Sequence, residues 1–197
     1  MGTDANDGLL TSSAVNGFLT RAVHVIEQES DWPWLETQET LTTTASVGTL
    51  TPGSVGLNWL RTRWLEDQYG KNMEWYSHAE LDDRFTNTQT GFPKFFSVYG
   101  DLIHLRPIPD GVYTITHFYQ RVEADLVNDS DTPLLPATYH TALVDYASYL
   151  GFRASRETER ANLSFQNYQE LLKQMKQRAK RRVDLPGKVR VRPGSWL

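Results

Sequence analysis

LIHLRPIPDGVYTITHFYQ, residues 102–120, decides how the middle of the chain is read. Leu102-Ile103-His104-Leu105 has the composition of a strand, and Pro109-Asp110-Gly111 carries turn chemistry. From Val112 to Tyr119, β-branched and aromatic residues follow one another with a period of two. The pattern predicts a hairpin, with Tyr113, Ile115 and His117 on one face and Thr114, Thr116 and Phe118 on the other. On this reading His104 and His117 can face each other across the pair, but two imidazoles do not make a zinc site.

Outward from the hairpin, residues 39–122 keep the same character. Thr, Val, Trp, Tyr and Phe cluster in short runs between the turn formers TPGSVG, YGKN, TGFP and PIPDG. One helical interruption is expected at SHAELDDRF, residues 77–85, where Ser77 and Glu80 have capping-box spacing.

On both flanks the period changes to 3.6. In residues 11–29, Val15, Phe18, Leu19, Ala22, Val25 and Ile26 make one apolar face, Ser12 or Ser13 can cap the start, and Asp31-Trp32-Pro33 ends the helix. From Pro136, Tyr139, Leu143, Tyr146, Ala147 and Leu150 line one side, with Gly151 as a stop. From about Glu157, Ala161, Phe165, Tyr168, Leu172, Met175 and Ala179 form a heptad stripe. No face can be buried by its own helix. The sequence therefore predicts an α+β chain: an antiparallel helical bundle from residues 11–34 and 136–182, an inserted β-rich domain at 35–122, a linker at 123–135, and an extended C-terminal docking arm at 183–197.

Composition narrows the class. At 39% hydrophobic and 12% aromatic, the chain can bury a core and is not a disordered segment. No run approaches the ~20 apolar residues of a membrane span, and MGTDANDGLL reads neither as a signal peptide nor, with Asn6, as a myristoylation site. The absence of cysteine excludes disulfides and thiolate metal sites. Charge is unevenly placed: residues 171–197 hold nine Lys or Arg and one acid, whereas the other 170 residues hold 11 basic and 23 acidic side chains. A basic arm on an acidic body is suited to meet nucleic acid, an acidic partner or a sister subunit.

DWPWL (31–35) after a first helix, then a β region, then LRPIPDGVYTITHFYQR (105–121), then SDTPLLPATYHTALVDYA (130–147), resembles the head-to-tail adaptor proteins of tailed bacteriophages, also called neck, connector or tail-tubular proteins. The likeness spans roughly residues 11–155, and the order of the motifs is as informative as each motif. It implies a structural protein and not an enzyme. Such proteins form a ring, usually of twelve copies, beneath the portal. They join it to a downstream tail or nozzle protein, and double-stranded DNA passes through without sequence readout. An acidic lumen would let DNA slide, because it does not hold phosphates.

Trp32 and Trp34 could stack on a sugar or base, but core tryptophans closing the domain junction with Leu134 and Leu135 are the commoner use. His140 has no GxSxG serine to serve, and Asp145, five residues on, does not share its helical face. Asp125, Asn128, Asp129 and Asp131 suggest calcium, but an EF-hand counted from Asp125 would put Ser130 and Pro136 where Gly and Glu belong. The plainer reading of that stretch is a solvated linker in which Asp131 or Thr132 caps a turn. His24, His78, His104 and His117 show no metal-ligand spacing. No catalytic, metal or cofactor site is expected.

The arm is the strongest functional signal. A solvated helix end favoured by the helix dipole accounts for Lys180, Arg181 and Arg182. It does not account for Lys188, Val189, Arg190, Val191 and Arg192 beyond Pro186, nor for Trp196, which suit docking to a portal or a neighbouring subunit. The expected protein is thus a virion component of the neck or tail, assembled in the host cytoplasm without a membrane. The alternative is a monomeric DNA-binding module using the basic tail, and a third reading is a carbohydrate-binding β domain.

Overall fold

The computed structural model describes residues 11–53, 59–86 and 88–179, with the backbone alone for 180–183. The chain divides into two compact units, Met1–Pro33 with Asp125–Leu197, and Trp34–Ala124.

In the helical unit, α1 runs Ser12–Gln28. Its cap is Thr11, one residue before the expected serines: the Thr11 hydroxyl accepts from the Ala14 N–H at 3.3 Å. The buried face is Ala22, Val23 and Ile26, while Val15 is 37% exposed. Helix α3, His140–Ala154, follows a 3-10 turn at Ala137–Tyr139. Gly151 does not stop it. A side chain there would stand 3.8 Å from the Phe18 ring, so Gly151 lies where α1 crosses α3. The helix ends instead in a Schellman turn. Glu157 N–H reaches Phe152 C=O at 2.9 Å and Arg156 N–H reaches Arg153 C=O at 3.2 Å. Arg156 sits at φ 61°, a left-handed conformation that costs a side chain about 1 kcal/mol. Arg156→Gly should therefore raise stability by about 1 kcal/mol, read as a higher midpoint in urea; an unchanged or lower midpoint would mean that the Arg156 side chain supplies a compensating contact.

Helix α4, Thr158–Val183, buries Ala161, Tyr168, Leu172, Met175 and Ala179 at heptad spacing. The expected antiparallel bundle is nevertheless absent. Among the described residues the fold is mixed α+β, with four α-helices and two sheets. Helix α3 packs against α1 and against α4, but α1 and α4 do not run along one another. They meet near the end of α1, where Lys176 donates to Glu29 at 2.6 Å. Heptad spacing states that a stripe needs a cover. It does not state that three stripes share one core, and here α3 alone serves both neighbours.

The second unit holds seven strands and a helix: β1 Glu36–Thr42, β2 Thr49–Leu50, β3 Trp59–Glu66, β4 Glu74–Trp75, α2 His78–Arg84, β5 Phe95–Tyr99, β6 Leu102–Arg106 and β7 Thr114–Arg121. One sheet is ordered β1-β7-β3 and the other β2-β6-β5-β4. All pairings are antiparallel except β4 with β5. Leu41, Leu65 and Ile115 of the first sheet meet Leu50, Phe96, Ile103 and Leu105 of the second in one core with Met73. Helix α2 carries the expected capping box between Ser77 and Glu80.

The expected hairpin is not formed, because β6 and β7 belong to different sheets. Residues 107–113 cross between them. Pro107 and Pro109 lack the N–H groups a ladder needs. The crossing segment spends its remaining polar groups elsewhere. Ile108 N–H reaches Gln89 C=O, Gly91 N–H reaches Ile108 C=O, and Thr43 N–H reaches Tyr113 C=O. The Thr43 hydroxyl accepts from Tyr113 N–H and donates to Gly111 C=O. His104 and His117 consequently lie in separate sheets and do not face each other as hairpin partners.

Candidate functional site

Polar side chains of the sheet unit converge on His117, which is wholly buried in β7. Its two neighbours in the sheet each supply a partner. Glu39 of β1 accepts from Nδ1 at 2.8 Å, and the Thr62 hydroxyl of β3 meets Nε2 at 2.9 Å. One side chain from each of the three strands thus forms a single transverse chain, and the Gly53 N–H adds a bond to the Glu39 carboxylate at 2.8 Å. Trp59 stands edge-on to the imidazole at 5.7 Å and Tyr119 stacks on it at 4.8 Å. Burial holds the His117 pKa below the ordinary imidazole value, and Glu39 offsets only part of that effect. A neutral ring protonated on Nδ1 satisfies both partners, with Thr62 donating to Nε2. The order carboxylate, imidazole, hydroxyl is that of a hydrolytic triad. Here, however, every member is a strand residue tied across the sheet, and the imidazole is sealed from solvent, so the geometry serves as a clamp on strand register.

In the helical unit His24 has carboxylates on both nitrogens, Glu27 at 3.1 Å and Asp125 at 2.8 Å. Burial lowers its pKa, but the bonds to Asp125 and Glu27 outweigh that and the net shift is upward. Residues 125–131 are exposed apart from Leu126 and Asp131 caps their turn, as expected of a solvated stretch, but they are also tied to α1. The Thr20 hydroxyl donates to Leu126 C=O at 3.2 Å and accepts from Leu126 N–H at 3.0 Å, and Asn16 donates to Val127 C=O at 3.0 Å. Asp131 folds back to accept from Val127 and Asn128 N–H at 2.8 and 2.7 Å, which lowers its pKa. The acids once weighed as calcium ligands are thus spent as a strap along α1. Among the described residues no group of three His, Asp or Glu is placed to hold a metal.

The histidines singled out in the sequence separate in the same way. His140 Nε2 bonds Leu135 C=O at 3.0 Å, closing the turn before α3. His78 stacks on Tyr99 at 4.5 Å and lies 4.6 Å from His104, whose pKa is lowered by burial and by the His78 charge. Trp32 is fully buried, its indole N–H donated to Ile26 C=O. Trp34 is half-buried in a 3-10 turn, Leu135 is 4% exposed and Leu134 37%. On α4 the seam residue Tyr168 packs edge-on to Tyr146 at 4.8 Å. Burial, with the nearby Glu29 charge, pushes its hydroxyl well above the ordinary tyrosine range.

Lys180, Arg181 and Arg182 fall on the last turn of α4, where the backbone alone is described, and Lys188, Val189, Arg190, Val191, Arg192 and Trp196 lie outside the described residues. Sequence reasoning missed the Glu39–His117–Thr62 chain. Its one available signal was His117 at an inward position of an alternating strand. Nothing local pointed to Glu39, 78 residues earlier.

A helical unit and a β-rich unit, each with its polar cluster consumed in internal ties, make up the described chain. The chain belongs to the SU10 adaptor protein family, whose model matches residues 2–192. It is therefore a bacteriophage head-to-tail adaptor, a structural component of the virion. No curated protein matches the chain. No helix among the described residues is long and apolar enough to cross a membrane.

Proposed function

We propose that copies of this chain form a ring, of about twelve by analogy with other head-to-tail adaptors, between the portal and the first tail or nozzle protein. The helical unit forms the wall, double-stranded DNA passes through without sequence readout, and residues 183–197 dock on the portal or the next copy. On this reading the protein has no catalytic step. The observation that carries the proposal is α4: a 26-residue helix, about 39 Å long, that buries a seam from Ala161 to Ala179 while its last three turns gather Lys173, Lys176, Arg178, Lys180, Arg181 and Arg182. Trp32, Trp34, Leu134 and Leu135 would stiffen the passage between the two units.

Native mass measurement of the chain mixed with its portal tests this. The full chain should give a discrete ring complex, and a chain ending at residue 183 should lose it. Equal complex formation by the shortened chain would overturn the docking role. A monomer that binds DNA with steep loss of affinity in added salt would instead establish the tail as a phosphate-binding module.

A further inference from the structure

Strand β1 is an edge left open. It pairs with β7 along all seven residues without a register shift, and among the described residues nothing pairs with its other flank in the sheet. Alternate N–H and C=O groups on that flank therefore face outward. Edge strands are normally blunted by lysine, proline, bulges or shortness. The other three edges follow this rule. Strand β3 carries two register irregularities together with Arg61 and Arg63, while β2 and β4 are two residues long. Strand β1 is seven residues long without a bulge, its sequence ETQETLT holds no Pro, Lys or Arg, and both its acids are engaged, Glu36 with Arg63 at 2.9 Å and Glu39 with His117 at 2.8 Å.

The chain also contains the complement of such an edge. Lys188-Val189-Arg190-Val191-Arg192 alternates cationic and β-branched residues, and Pro186-Gly187 and Pro193-Gly194 bracket it. Proline is tolerated at strand ends and not within a central strand, so this bracket delimits a strand of five residues, about 17 Å. That fits within the seven residues of β1. An open hollow of about 310 Å³ lies over the same sheet, lined by Glu36, Thr37 and Gln38 of β1, Arg63 and Trp64 of β3, and Phe118 and Tyr119 of β7, with Trp64 and Phe118 stacked at 4.5 Å. A tryptophan four residues past the strand, Trp196, matches an aromatic-lined hollow of that kind.

We propose that residues 188–192 of one copy add as a strand to the open edge of β1 in a second copy. The proposal rests on the ring reading above and names its contact. Each copy offers one arm and one edge, so the contact is heterologous and propagates from copy to copy until the ring closes. Main-chain hydrogen bonds supply affinity, and the alternation of the arm's side chains sets its register on the edge.

The absence of cysteine makes the test direct. Chains carrying Gln38→Cys are mixed with chains carrying Val189→Cys or Arg190→Cys under mild oxidation, with exposed Tyr69→Cys as the control partner. One of the two arm positions should cross-link to Gln38→Cys about tenfold more than to the control, because docking raises the local thiol concentration. Adding Thr40→Lys, an exposed edge position, should abolish the cross-link while circular dichroism stays unchanged. Cross-linking no greater than the control would overturn the proposal. So would closure within single chains when Gln38→Cys and Val189→Cys are placed together at high dilution. The portal-binding mass measurement on the same variants separates the two failures: rings that form without the cross-link leave the assembly reading standing and remove only this contact.

Discussion

Trp32→Ala is expected to cost about 3–5 kcal/mol, the range for removing a buried tryptophan. The side chain is 0% exposed and its indole N–H is held by the Ile26 carbonyl, near the last turn of α1. Truncation leaves a cavity the size of two rings and removes one tie on the segment leaving α1. Since a whole domain is stable by only about 5–15 kcal/mol, this loss is a large fraction of the total and the urea midpoint should fall steeply. Trp32→Phe separates the two contributions. It keeps most of the packing and loses the hydrogen bond, so about 1–2 kcal/mol should be lost. Urea denaturation of the three chains measures both steps. A Trp32→Ala loss below about 1 kcal/mol would show that the segment closes over the gap.

His117→Ala should be the second most damaging change, at about 3 kcal/mol. It strands the Glu39 carboxylate, which keeps Gly53 N–H but loses its partner at 2.8 Å, and it leaves the Thr62 hydroxyl without an acceptor. The same residue gives the sheet unit a pH dependence of known sign. The pKa of folded His117 lies below the ordinary 6.5, so between the two values the unfolded chain binds more protons. Stability is therefore complete above pH 6.5 and falls as the pH drops toward the folded value. His24 acts in the opposite sense. Its folded pKa is raised by Asp125 and Glu27 against the lowering effect of burial, so its contribution is complete below pH 6.5 and is lost as the pH rises through the raised value. Denaturation midpoints across pH 5–8 should lose their acid-side slope in a His117→Gln chain. An acid-side slope that survives in that chain would assign it to another group.

How the two histidines differ shows where a sequence stops being informative. His24 and Glu27 are three residues apart on one helix, and such a pair can be read from spacing alone. Asp125, which completes the site, comes from 101 residues away, on an exposed stretch whose partner no spacing announces. His117 had an inward position on an alternating strand, yet both of its partners are remote, and the strand expected beside it lies in the other sheet.

The sequence by itself determined what depends on neighbours along the chain. The period of 3.6 in α1 and α4, the capping box of α2, and the alternation of Ile115 and His117 all follow from residues within one or two turns of each other. The ordered series of motifs was enough to point to the adaptor family, since a series is also a property of the chain read end to end. Tertiary structure alone decided which surfaces meet. It sent β6 and β7 into separate sheets, let α3 cover both α1 and α4 instead of closing a bundle, and left β1 without a partner on one side. The physical reason is common to all three. A hydrophobic stripe or a strand edge specifies that it must be covered, by so much apolar area or so many hydrogen bonds, but many segments could supply that cover at similar cost, and the choice among them is made by all the long-range contacts at once.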